Sequence, residues 1–283
     1  MKQVNRRIAF YTRPYPRARS WFAIIDEAAR VGMPYIEGIN HYELREPDLD
    51  TAQRLRAYAD EKGVRFGCLS CFCNFTPENT EAQIARMKTY IDMAQILGAP
   101  YFHHTLVAGY ETPEEVQKNR EILFENAVGA VRRLYDYGQT KGIRLIFEDQ
   151  GYLFNGVENF SRFLDTVGRD VGVLLDTGNT FNVDEEPEEF LEAFLPRICH
   201  VHLKDVVYAP TSEGMHQWIR TLKGNFFWPV PLGQGRLPLE KIVERLEKAG
   251  YSGLYALEYG APSDDSPVMT ETMATLSDWL EKE

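Results

Sequence analysis

The 283 residues carry 31 Lys and Arg against 42 Asp and Glu, a net charge of −11. A surface of that sign repels phosphate backbones and anionic lipid, which disfavours a general nucleic-acid binder. With 44% hydrophobic and 26% charged residues, and 15 Pro and 21 Gly dispersed along the chain, the composition suits a large buried core and excludes a low-complexity or collagen-like chain.

Length alone allows one or two domains at roughly 150 residues each, and a single α/β barrel commonly runs to about 250. Met1 to Arg7 is polar and basic, and the apolar Ile8 to Tyr11 ends before Arg13 and Pro14. That stretch is too short for a signal-peptide core, and no apolar run approaches the ~20 residues of a membrane span. Of the four cysteines, Cys68, Cys71 and Cys73 crowd into one strand-like run, which does not suit a disulfide framework. The expectation is a cytoplasmic protein without a membrane or nucleic-acid partner.

Short apolar runs alternate with longer amphipathic ones. Ile8 to Tyr11 reads as a first strand, Ser20 to Val31 as a helix, Tyr35 to Ile39 as a second strand and Thr51 to Glu61 as a helix. Arg65 to Phe72 follows as a third strand. Ile84, Met87, Ile91, Ala94 and Leu97 then mark one face of a helix over Thr80 to Leu97. Pro100 to Leu106 is a fourth strand, Pro113 to Thr140 one long helix, Ile143 to Glu148 a fifth strand and Val157 to Thr166 a helix. Gly172 to Asp176, Ile198 to Leu203 and Gly253 to Tyr259 complete eight strands, with helices over Pro187 to Phe194, Leu239 to Ala249 and within Pro267 to Leu280. Strand–helix alternation with no hairpin signal predicts a (β/α)8 TIM barrel, one domain over residues 1–283. An open doubly wound sheet is the alternative, weakened because no Gly-rich dinucleotide fingerprint follows the first strand. Asp205 to Arg236 is long for a loop and rich in aromatic residues, so it reads as a functional segment or an oligomer contact.

The informative residues sit where apolar strands end. Glu148 follows Leu145-Ile146-Phe147, Asp176 follows Val173-Leu174-Leu175, and Glu258 follows Tyr255-Ala256-Leu257. The seventh strand runs Cys199-His200-Val201-His202-Leu203-Lys204-Asp205. Three carboxylates converging at a barrel mouth repel one another unless a cation lies between them. With one imidazole added, the oxygen and nitrogen donors suit one divalent ion, Mn²⁺ or Mg²⁺ before Zn²⁺, with Co²⁺ also compatible.

Phe147-Glu148-Asp149, Leu174-Leu175-Asp176-Thr177-Gly178-Asn179, His200-Val201-His202-Leu203-Lys204-Asp205, Gly233-Gln234-Gly235-Arg236 and Gly250-Tyr251-Ser252-Gly253 running into Leu257-Glu258 together resemble the xylose isomerase-like superfamily. That superfamily holds sugar isomerases, sugar-phosphate isomerases and epimerases, and apurinic-site endonucleases share its barrel. The resemblance implies Glu148, Asp176, His202 and Glu258 as metal ligands. His200, on the same strand face, is then a supporting histidine. It further implies a metal-dependent isomerase or epimerase of a small carbohydrate, working through a metal-stabilised enediolate. Glu148 and Glu258 would be its acid–base pair. A lyase or dehydratase on the same barrel, including one that cleaves C-glycosides, is the alternative, and an endonuclease-like hydrolase ranks third. A homo-oligomer is compatible with the fold by analogy.

Departures bear on substrate. Related ketose 3-epimerases place a histidine where Asn179 stands, an arginine where Tyr208 stands and a second glutamate where Phe154 stands. Asn179 and Tyr208, with Lys204, Asp205 and Arg236, are expected to meet the substrate, and so are His103 and His104 at the end of the fourth strand. Cys68, Cys71 and Cys73 lack a second Cys or Cys/His pair and read as ordinary strand residues.

Overall fold

The computed structural model describes residues 7–11, 20–107, 112–214, 218–258 and 266–281. In chain order its elements are β1 (Ile8–Tyr11), α1 (Trp21–Val31), β2 (Tyr35–Ile39), α2 (Leu49–Lys62), β3 (Arg65–Cys71), α3 (Thr80–Leu97) and β4 (Tyr101–His104). Then come α4 (Pro113–Lys118), α5 (Arg120–Lys141), β5 (Arg144–Glu148), α6 (Val157–Val167), β6 (Gly172–Asp176), α7 (Pro187–Phe194) and β7 (Ile198–Leu203). The chain continues through β8 (Asp205–Ala209), β9 (Ile219–Arg220), β10 (Phe226–Val230), α8 (Leu239–Lys248), β11 (Tyr255–Glu258) and α9 (Ser266–Leu280). Eight parallel strands close in the order β1-β11-β7-β6-β5-β4-β3-β2, the TIM barrel that the alternation predicts. Tyr259, the expected last residue of the eighth strand, lies outside the described residues.

Local chemistry sets the helix ends. Ser20 caps α1 by accepting from the Ala23 amide at 3.1 Å, and Trp21, Ile24, Ile25 and Ala28 form its buried face. Asp48 caps α2 through the Thr51 amide at the same distance. The core lies between barrel and helices, where Phe160, Phe163, Phe190 and Phe194 of α6 and α7 stack edge to face or tilted.

Two segments differ from expectation. The long helix over Pro113 to Thr140 breaks at Asn119, which leaves helical geometry (φ −108°, ψ 11°) while its side-chain amide donates to the Glu115 carbonyl at 3.0 Å. Asparagine offers the backbone such local alternatives, and the break separates α4 from α5. The segment after β7 is not a plain loop but a three-stranded antiparallel sheet, ordered β8-β10-β9. A tight turn through Gly224 (φ 85°), closed by Thr221 N–H donating to the Asn225 carbonyl at 2.9 Å, joins β9 to β10. β8 runs on from β7 with one residue between, and β9 has only two residues, so neither stands out as a separate strand by periodicity.

Asp205 organises this insertion. Its carboxylate accepts from the amides of Val206 (2.9 Å), Gly233 (2.8 Å), Gly235 (2.9 Å) and Leu237 (3.2 Å). A Cβ at Gly235 would lie 2.1 Å from Asp205 Oδ1, which accounts for glycine there. Tyr152 ties the insertion to the segment after β5 by donating to the Arg220 carbonyl at 2.6 Å.

Candidate metal centre

Parallel pairing sets the neighbouring strand ends side by side. Asp176 pairs with His202, His202 with Ala256, and Tyr11 with both Glu258 and Glu37. One ligand atom from each of Glu148, Asp176, His202 and Glu258 lies within 4.8 Å of the others, and all four residues are buried. This is the C-terminal mouth of the barrel, where TIM-barrel active sites form.

His202 stands at the focus. Its Nδ1 lies 3.1 Å from Glu258 Oε2, 3.5 Å from Glu148 Oε2 and 4.0 Å from Asp176 Oδ2. Yet this buried nitrogen forms no hydrogen bond. On the other side of the ring, Nε2 lies 3.1 Å from both oxygens of Glu37. An orphaned imidazole nitrogen among three carboxylates is the donor set of a divalent-cation site, so these residues fit such an ion.

The local charges agree with that fit. Lys204 Nζ donates to Asp176 Oδ2 at 2.8 Å and Asn179 Oδ1 at 3.0 Å, and lies 3.0 Å from Glu258 Oε1. Burial works against this ammonium, but Asp176 and Glu258 hold it above the ordinary lysine range. Burial pushes the Asp176 carboxyl up to about 7 against the pull of Lys204, with Glu258 and Glu148 adding to the rise. Burial likewise works against a charged His202, but Glu37, Glu148 and Glu258 hold its imidazole well above the ordinary range, so without an ion a proton on His202 and the Lys204 ammonium are the positive charges facing these carboxylates. Asp176 is held in place by the amides of Gly178 and Asn179, which donate to Oδ1 at 2.8 and 3.1 Å. Asp149, fully buried beside it, accepts the Asp176 amide at 3.0 Å, and burial, then the Asp176 charge, pushes its carboxyl well above the usual range.

The structure sorts the residues expected to meet substrate. His103, Asn179 and Lys204 line a cavity of about 50 Å³ over Glu148 and Glu258, with Tyr11, Asn40, Ser70 and Gln150. A neighbouring cavity of about 190 Å³ shares Phe72, His103, Thr105, Glu148 and Gln150 as its wall. His104, expected to meet the substrate, does not line the cavity over Glu148 and Glu258. Strand alternation turns it to the opposite face, against Phe75, Phe102 and Phe147, where it borders only the neighbouring cavity. Burial lowers it to about 3, so it is a neutral imidazole whose Nδ1 meets the Thr105 carbonyl at 2.9 Å.

Asp205, Tyr208 and Arg236 are likewise displaced from the expected role. The Asp205 oxygens are engaged by backbone amides of the insertion. Tyr208 donates to Asp184 at 2.8 Å, and Arg236 pairs with Glu186 at 3.0 Å while lying over the Phe181 and Tyr208 rings. Phe154 is core, stacked on Phe124 and edge-on to Phe163.

Glu37 escaped the sequence reading, though a lone carboxylate centred in the apolar run Tyr35 to Ile39 was a visible sign. It is fully buried, and while burial opposes its charge, His202 and His200 hold it well below the usual carboxylate range. A larger cavity, about 400 Å³, opens at the other end of the barrel beside Tyr35, Arg65, Tyr101 and Leu254, remote from this acidic cluster.

Fold and site together define a TIM barrel whose mouth gathers residues that could hold a divalent cation. The chain belongs to the xylose isomerase-like TIM barrel family, whose model matches residues 25–282. Among its relatives, an inosose dehydratase of Yersinia enterocolitica is 32% identical over 224 residues, 72% of each chain. A xylose isomerase-like TIM barrel protein from Mycobacterium smegmatis, solved in complex with magnesium, superposes with a TM-score of 0.74 at 20% identity, covering 98% of this chain and 97% of that one. A D-psicose 3-epimerase from Clostridium cellulolyticum H10 superposes at 0.72 with 16% identity, covering 97% and 98%. The two structural likenesses speak to the fold. Among the described residues no helix is long and apolar enough to cross a membrane.

Proposed function

We propose that the chain is a divalent-metal-dependent dehydratase acting on a small polyhydroxylated ketone, with an inosose as the first candidate. The observation that carries the metal requirement is the buried His202 Nδ1, without a hydrogen bond, facing Glu148, Asp176 and Glu258. Dehydration ranks above isomerisation because of the inosose dehydratase relative and of Asn179, Tyr208 and Phe154, which depart from the ketose 3-epimerase pattern. Manganese or magnesium suits the oxygen-rich donor set better than zinc.

Glu148, Asp176, His202 and Glu258 would hold the ion, which would supply Lewis acidity toward the substrate carbonyl. The protein's own groups move the protons. Glu258, whose carboxylate charge is balanced by Lys204 at 3.0 Å, is placed to accept the proton α to the carbonyl. The C–H electron pair becomes the new C=C bond, the neighbouring C–O bond breaks, and the departing hydroxyl takes a proton to leave as water. Glu148, at the same cavity with His103 Nε2 3.6 Å from its Oε1, is the counterpart that enters the step protonated, gives that proton to the departing hydroxyl and is left as the carboxylate, while Glu258 holds the proton from carbon. Buried Tyr11 and Thr105 and half-buried Phe72 form part of the cavity wall.

Isomerisation or epimerisation is the second reading, favoured by the same two carboxylates, since a proton taken by one and returned by the other changes no mass. Incubation of the Mn²⁺-loaded protein with an inosose separates the two by mass spectrometry. A product lighter by one water is expected. A product of unchanged mass in H₂O that becomes one unit heavier in D₂O would replace dehydration with the second reading, and no turnover of inososes or ketoses would overturn both.

A further inference from the structure

We infer that Glu37 is a positioning residue: from beneath the cavity it fixes the ring of His202 so that Nδ1, and not Nε2, is offered to the cation. This inference rests on the metal reading above.

Glu37 is fully buried at the centre of β2, so it cannot meet substrate itself. A carboxylate withdrawn from water costs several kcal/mol unless its oxygens are satisfied. Here the partners are specific. His200 Nε2 lies 2.7 Å from Oε2, His202 Nε2 lies 3.1 Å from both oxygens, and Ser70 Oγ donates to Oε1 at 2.5 Å. Of these, the contact to His202 has a consequence at the cation site. A carboxylate only accepts, so Nε2 must carry hydrogen, and in the neutral ring the lone pair is left on Nδ1. That is the nitrogen aimed at Glu148, Asp176 and Glu258. The adjacent negative charge also raises the basicity of the ring as a ligand.

His200 and Ser70 keep the carboxylate itself from turning. His200 reaches Glu37 from the same strand face as His202, two residues earlier on β7. Ser70, having spent its one proton on Glu37, accepts from His103 Nδ1 at 3.2 Å. The other nitrogen of His103 faces Glu148. One buried carboxylate therefore steadies a metal-binding imidazole directly and, through Ser70, the imidazole beside a second metal-binding group.

The test is Glu37→Gln, which keeps the shape and one acceptor oxygen but removes the charge. Calorimetric titration of Mn²⁺ into the metal-free proteins is expected to show Kd weakened about 10- to 100-fold, the usual effect of losing such a supporting carboxylate. A purely structural Glu37 would lower the thermal midpoint of the metal-free protein without moving Kd. Equal affinities in wild type and variant would therefore overturn the inference and leave the metal reading standing. A wild type that binds no Mn²⁺ would overturn both. Should the variant not fold, ¹⁵N-histidine NMR of the zinc-loaded wild type decides: the inference requires His202 protonated on Nε2 and metal-bound through Nδ1, and the reverse arrangement overturns it.

Discussion

Glu258→Gln is expected to lower kcat by about 10³-fold at saturating Mn²⁺, within the range attributed to a general base or acid. The side chain sits in the cavity wall between His202 Nδ1 at 3.1 Å and Lys204 Nζ at 3.0 Å. Glutamine fills the same space and keeps an oxygen for Lys204, so circular dichroism and the thermal midpoint should stay close to wild type. What it removes is the ability to hold a proton taken from carbon. Retention of kcat within tenfold would show that the proton is taken elsewhere. Because the change also removes a charge from the cation site, rates are to be compared across a Mn²⁺ titration, and only the plateau bears on the base.

The second large effect is expected of His202→Ala. Outer partners of a metal site are worth about 10- to 100-fold in affinity, so loss of a ligand itself is expected to weaken Mn²⁺ binding by more than about 100-fold. The same change strips Glu37 of its His202 contacts while leaving it buried with His200 and Ser70. Breaking a buried ionic contact in this way is expected to cost on the order of 3 kcal/mol of stability. Metal titration and urea unfolding of the metal-free protein read the two effects separately. An alanine variant that bound Mn²⁺ like wild type would place the cation away from His202.

The barrel was legible because β/α alternation leaves its mark within a dozen residues at a time, and strand ends such as Phe147-Glu148 and Leu175-Asp176 place their charges at the mouth. What stayed hidden depends on contacts between distant positions. His103 and His104 are adjacent, so only one can face inward, and which one is decided by the register of β4 against β3 and β5. Asp205 follows the ligand strand and resembles a site residue, but it accepts from Gly233, Gly235 and Leu237 about thirty residues on. The turn that brings them back lies in an antiparallel sheet too short and too continuous with β7 to register as separate strands. Glu37 stayed hidden because it sits at mid-strand in β2 and acts from below, where no charge at a strand end marks it. Its three partners come from β3 and β7, and no spacing along β2 announces them.

A crystal of the protein grown with Mn²⁺ and measured near the manganese absorption edge addresses the cation site itself. One strong anomalous peak is expected at the barrel mouth, within about 2.5 Å of carboxylate oxygens from Glu148, Asp176 and Glu258 and of His202 Nδ1. A peak on other residues, or Lys204 alone balancing the three carboxylates in Mn²⁺-saturated crystals, would contradict that expectation.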